Sequence, residues 1–184
     1  MEIPGRLFAA FALSLAAGVV AAQGHSPQGH SPYAGQHARQ LKALSGDEVR
    51  QLLEGAGMGY ARAAELNGYP GPMHVLELAD KLGLSAQQRE ETRRLMEGHK
   101  AEARTLGAKR VDAERRLEAL FHRKGLDPAE LEHAVKAAAA SEAEYRLSHL
   151  ETHRRMRALL TDEQVGRYAE LRGYLAPVSP TIYK

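Results

Sequence analysis

Apolar positions recur at helical spacing along two long segments that together fill the middle of the chain. The first, Ala86 to Lys124, carries its stripe at Leu95, Ala103, Leu106, Ala113, Leu117 and Leu120. At 1.5 Å per residue such a helix is roughly 58 Å long. Gly98 and Gly107 interrupt it, each at a cost of about 1 kcal/mol relative to Ala, and both admit curvature or close approach of another helix. Gly125 stops this helix, and Asp127-Pro128 offers an N-cap and a first-turn proline for the next. That second helix runs to Leu159, with Leu131, Val135, Ala138, Tyr145, Thr152, Met156 and Leu159 on one face. The short turn at 125–127 makes the pair antiparallel neighbours, so residues whose numbers sum to about 252 should face each other.

Shorter elements flank this hairpin. Ser45 followed by Glu48 is a capping-box pattern, and Val49, Leu52 and Leu53 give a brief stripe ended by Gly55. Glycines and prolines from Gly55 to Pro72 predict loop, with at most a helical turn around Ala61 to Leu66. Met73 to Leu82 reads as a helix between Pro72 and Gly83, and a last helix carries Val165, Tyr168 and Leu171 before Gly173.

Two of the helix starts share one pattern. Leu84-Ser85-Ala86-Gln87-Gln88 and Leu160-Thr161-Asp162-Glu163-Gln164 both fit L-[ST]-x-x-Q, 76 residues apart. The chemistry is again a capping box: Ser85 or Thr161 accepts from the amide three residues on, and Gln88 or Gln164 reaches back to the cap amide. With this motif pair the chain resembles the small periplasmic LTxxQ-motif proteins, which include Spy- and CpxP-like chaperones and CnrX-like heavy-metal sensors. The resemblance covers roughly Pro72 to Tyr174 and implies curved, interlocked dimers.

The first 22 residues read as a cleavable signal peptide: Arg6, the apolar run Leu7 to Val20, and small residues at Val20-Ala21-Ala22. An uncleaved anchor is the alternative. Residues 23–40 form a tail rich in His, Gly, Pro and Ser, in which Gln-Gly-His-Ser-Pro is repeated and disorder is expected; His25, His30 and His37 there give at most weak metal affinity. Residues 41–71 hold the short helix and the glycine-rich segment, 72–176 the helical domain, and 177–184 a loose C-terminal tail. The whole is expected to be all-α and periplasmic. Cys is absent, so disulfides and thiolate chemistry are excluded. A net charge of +2 gives no support to nucleic-acid binding. The thin, Ala-rich hairpin buries little surface alone, and a homodimer is expected.

Two sets of residues carry candidate chemistry. The pairing rule sets Met96 opposite Met156 and His99 opposite His153, while His149 and His153 share a helix face. With His74 on the preceding helix, these imidazoles and thioethers suit Cu, Ni, Co or Zn; ordinary packing by gap-filling Met and locally bonded His is the other reading. In the sensors that the chain resembles, a His and a Met four apart precede the second motif. Here Met156 holds the Met place, but Thr152 stands where the His belongs, and His74 stands alone where two are found. The second set is basic: 11 Lys or Arg against 7 Asp or Glu between Ala86 and Lys124. Arg89, Arg93, Arg94, Arg104, Lys109, Arg110, Arg115 and Arg116 form the face that, by resemblance to Spy-like proteins, would hold unfolded polypeptide without ATP. No nucleotide loop, G-x-S-x-G or H-E-x-x-H is found, so enzymatic activity is not expected. The reading is an ATP-independent chaperone or envelope-stress protein that needs no cofactor. The alternative is a metal sensor or resistance protein working with a membrane-bound signalling partner.

Overall fold

The computed structural model describes residues 31–174; the expected signal peptide, the start of the expected tail and residues 175–184 lie outside that range. Residues up to Ala34 belong to a unit of their own, in which residues 31–34 make a turn. The second unit starts at Gly35. It holds a 3-10 turn at Gln36–Ala38 and the helices α1 (Gly46–Glu54), α2 (Arg62–Glu65), α3 (Pro72–Glu77), α4 (Ala86–Leu120), α5 (Pro128–Leu159) and α6 (Asp162–Leu171). Among the described residues there is no strand, and no helix is long and apolar enough to cross a membrane.

Helices α4 and α5, of 35 and 32 residues, form the antiparallel hairpin. Each begins where its cap dictates: Ser85 accepts from the Gln88 amide, and Asp127 accepts from the Ala129 amide ahead of Pro128. Helix α4 ends at Leu120, four residues before the expected stop. The chain then unwinds through Phe121 to Gly125, whose φ of 78° is glycine's region. Helix α3 is also shorter than expected, closing at Glu77. The chain continues through turns to Gly83, and Ala79, Leu82 and Leu84 join Val75 in one core.

That core lies at the open end of the hairpin, where Val75, Ala79, Leu82, Leu84, Leu95, Met156, Leu160 and Tyr168 pack together. A second core, midway along, joins Leu41, Leu44 and Leu52 to Ala103, Val111 and Tyr145. It forms because α1 lies against α4 at Gly107. A Cβ added there would stand 1.9 Å from the Leu52 carbonyl oxygen, so the glycine admits a backbone contact that no side chain would. Gly98 has nothing within 4 Å and plays no such part. Toward the turn Lys42 binds Glu118 of α4, and Val135, expected on the buried face, is 48% exposed.

Pairing by a constant sum holds near the middle, where Lys109 meets Glu144 and Arg110 meets Glu142. At the open end it slips by about one turn: His99 lies against Ser148 and His149 instead of His153. The first core and α3 are packed against both helices there, and their contacts override simple register.

Candidate functional site: a pocket lined by histidine and methionine

The two L-[ST]-x-x-Q copies meet. Gln88 Nε2 donates to Gln164 Oε1 at 2.8 Å, and Gln164 Nε2 donates to Gln88 Oε1 at 3.1 Å. Each oxygen also accepts from its own cap amide, Ser85 N–H and Thr161 N–H, both at 3.0 Å. The remaining amide hydrogens reach the carbonyls of Leu159 and Leu82. Leu84 and Leu160 sit in the first core just beneath. The motif therefore does more than start two helices: it locks their starts together and fixes the open end of the hairpin.

Directly along the hairpin from this lock lies a pocket of about 620 Å³. Its walls come from α4 (Met96, His99, Lys100), α5 (His149, His153), α3 (Met73, His74) and the glycine-rich segment. That segment folds onto the hairpin through specific bonds. Tyr145 Oη donates to the Ala56 carbonyl at 2.6 Å, and His153 Nδ1 lies 2.7 Å from the Tyr69 carbonyl. Tyr60 Oη accepts from Arg110 and donates to Glu142 at 3.1 Å. The Glu65 carboxylate accepts from the Tyr168 and Tyr174 hydroxyls and from the Gly71 amide. Burial, then the bond to Glu65, pushes the Tyr168 hydroxyl pKa up.

Backbone carbonyls hold His149 and His153 each in one tautomer, and burial disfavours the charged form of His99 and His149. His149 Nδ1 lies 2.9 Å from the Tyr145 carbonyl, which requires a proton on Nδ1 and leaves a lone pair on Nε2. His149 is 3% exposed, and its Nε2 is buried without a hydrogen-bond partner. His153 is likewise protonated on Nδ1 by its bond to Tyr69. His99 stands edge-on to His149, ring centroids 4.5 Å apart. Burial, and then the neighbouring His149 and His153, lower the His99 pKa to about 4. Burial also lowers His149, against the opposing pull of the Tyr145 and Ala56 carbonyls. An unpaired lone pair on a neutral, anchored imidazole is the state in which histidine binds a metal ion. Among the described residues, however, no three His, Asp or Glu side chains converge as a ready-made cage.

Of the six metal candidates, the pocket gathers His74, Met96, His99, His149 and His153. His74 Nδ1 is engaged by Glu77 at 2.8 Å. Met156 is elsewhere, fully buried in the first core. Met73, on the same helix as His74, also lines the pocket, whereas Glu65 and Tyr60 were not singled out from the sequence. The only signal for Glu65 was a carboxylate inside an otherwise glycine- and alanine-rich stretch.

The basic set does not form one free face. Arg89 pairs with Asp80, Arg93 and Arg94 with Glu90, Lys109 with Glu144, and Arg116 with Asp112. Arg110 is buried between Tyr60 and Glu142. Arg104 and Arg115 are exposed, and among the described residues neither makes an ion pair.

Fold and site together define a small all-helical hairpin protein whose two capped helix starts are cross-locked by glutamines. The chain belongs to the LTXXQ motif family, whose model matches residues 72–172, more than half of its 184 residues. No curated protein and no solved structure matches it. The residues that close the pocket, from Glu54 to Gly71, precede the matched stretch.

Proposed function

We propose that this chain is an exported LTXXQ-family protein that captures a transition-metal ion in the pocket between α4, α5 and the glycine-rich segment, as a sensor or buffer. The observation that carries this reading is the buried, unpartnered Nε2 of His149, presented beside His99 and Met96. Leaving such a group unsatisfied costs about 1–3 kcal/mol, and a bound ion removes that cost. Calorimetric titration with Cu, Ni, Co and Zn tests it, using the full chain and a variant with His25, His30 and His37 changed to Ala. One ion per chain, bound below about 1 µM in both and lost in His149→Gln, is the expected result; 1 µM corresponds to roughly 8 kcal/mol. Met156→Leu should leave binding unchanged, since that side chain lies in the core. Binding that vanishes with the three tail histidines would refute the reading.

Holding of unfolded polypeptide is the second reading. It is favoured by large apolar side chains left uncovered on the hairpin: Phe121 at 63%, Val135 at 48% and Leu147 at 64% exposure. In that case the chain suppresses aggregation of a denatured client without ATP or metal, and Val135→Glu with Phe121→Glu abolishes the effect. Unchanged suppression by that double variant would refute it.

A further inference from the structure

We infer that the ion taken by the pocket is monovalent and soft, Cu(I) or Ag(I), held by the imidazoles of His99 and His149 and the thioether of Met96. This rests on the metal-capture reading and narrows it by three observations.

The first is the donor set. The chain has no Cys, and the soft ligands on the pocket wall are thioethers, Met96 and the half-exposed Met73. Thioether sulfur selects Cu(I) over Zn, Ni or Co, which prefer imidazole with carboxylate or water.

The second is charge. The lining carries three cations, Arg62, Lys100 and Arg172, and two carboxylates, Glu54 and Glu65. Three minus two leaves +1 before any histidine is counted. Glu65 is not free to serve as a ligand, because the Tyr168 and Tyr174 hydroxyls and the Gly71 amide already occupy it. A divalent ion would enter an already positive wall in which Glu54 is the carboxylate not engaged by the tyrosines, whereas a monovalent one adds half that charge.

The third is number. Among the described residues no three His, Asp or Glu side chains converge. Octahedral Ni or Co and tetrahedral Zn would have to complete their shells with water around two imidazoles and one thioether. A closed-shell monovalent ion is satisfied by few, and two anchored nitrogens with one sulfur are enough.

The test uses the full chain with His25, His30 and His37 changed to Ala, so that tail ligands do not contribute. Cu(I) is delivered from a bicinchoninate buffer, and Ag(I), Zn(II) and Ni(II) as simple salts. Met96→Leu conserves volume on a partly exposed wall, so folding should be retained; circular dichroism checks this. The expected outcome is that Ag(I) shifts the Met96 ε-methyl resonance, and that Met96→Leu weakens Cu(I) and Ag(I) by at least about tenfold. Zn(II) and Ni(II) should bind at least about a hundredfold more weakly than Cu(I). Zn(II) or Ni(II) displacing equimolar Ag(I), or Cu(I) affinity unchanged in Met96→Leu, overturns the inference while leaving metal capture standing. Failure of every ion to bind overturns both.

Discussion

The same substitution at two glycines of one helix should have opposite effects. Gly107 and Gly98 both lie inside α4, and on helix propensity alone either change to Ala stabilises by about 0.5–1 kcal/mol. At Gly98 nothing lies within 4 Å, so that gain is realised in full. At Gly107 the new Cβ would meet Leu52 backbone atoms at 1.9, 2.6 and 3.2 Å. Carbon contacts settle at about 3.5–4.0 Å, so α1 must retreat by roughly 1 Å or more. The atoms in the way are backbone, and no rotamer change relieves them. Retreat opens the second core around Leu52, whose full burial contributes about 1.5–3 kcal/mol, and leaves a gap beneath Leu41, Leu44 and Tyr145. Overpacking of this kind costs about 1–3 kcal/mol, here toward the upper end; after the propensity gain, Gly107→Ala should lose about 2 kcal/mol. For a domain of this size each kcal/mol moves Tm by about 2–4 °C. Thermal and urea denaturation should therefore show Gly107→Ala melting about 4–8 °C lower and Gly98→Ala unchanged or up to about 4 °C higher. A Gly107→Ala protein as stable as the parent would refute the close approach of α1 to α4, and with it the second core.

Two further outcomes follow from the lock and the pocket. Gln88→Ala and Gln164→Ala each remove shared bonds, so a double-mutant cycle in urea should give a coupling of about 1 kcal/mol or more, whereas Gln87→Ala on the exposed face stays within about 0.5 kcal/mol; additivity of the two motif changes would refute the lock. Because the folded chain holds the His99 pKa near 4 and also lowers that of His149, the unfolded chain binds more protons between about pH 6.5 and 4. Stability should be full above about pH 6.5 and fall toward pH 4, by up to about 1.4 kcal/mol per pH unit for each histidine, and His99→Gln should flatten the fall; a profile that is flat or rises on acidification would refute the buried neutral imidazoles.

Much of the architecture was readable because local signals agreed with one another. The capping boxes at Ser45, Ser85 and Thr161 and the Asp127-Pro128 start all place helix beginnings to the residue. Helix ends were less legible. Leu120 closes α4 ahead of Gly125, and α3 closes at Glu77 although Ala79, Leu82 and Leu84 still enter the same core. That core joins residues far apart in sequence, to which periodicity is blind. The partner of Gly107 was hidden for the same reason: a glycine in a helix does not say which backbone needs the space.

The pocket illustrates how far residue type and register carry a site, and where they stop. His99, His149, His153 and Met96 were legible because helical spacing puts them on facing sides of one hairpin. Met156 fits that spacing equally well yet belongs to the core, because α3 and α6 cover the end of the hairpin where it lies. What anchors His153 and buries His149 is the glycine-rich segment, whose carbonyl at Tyr69 fixes His153 and whose Ala56 and Gly57 lie against His149. Low-complexity sequence of that sort carries no periodic signal. Its contribution is made by backbone atoms, which every residue has. Glycine at position 71 matters in the same silent way, since a Cβ there would stand 3.0 Å from the His153 ring and push it from the wall. The pocket is thus built from two sources. The LTXXQ core supplies the side chains, and the segment upstream of the family match supplies the cover that desolvates them. A chain carrying the core without this cover would leave His99 and His149 hydrated and free of the burial that lowers their pKa, so the proposed metal capture depends on the segment as much as on the ligands.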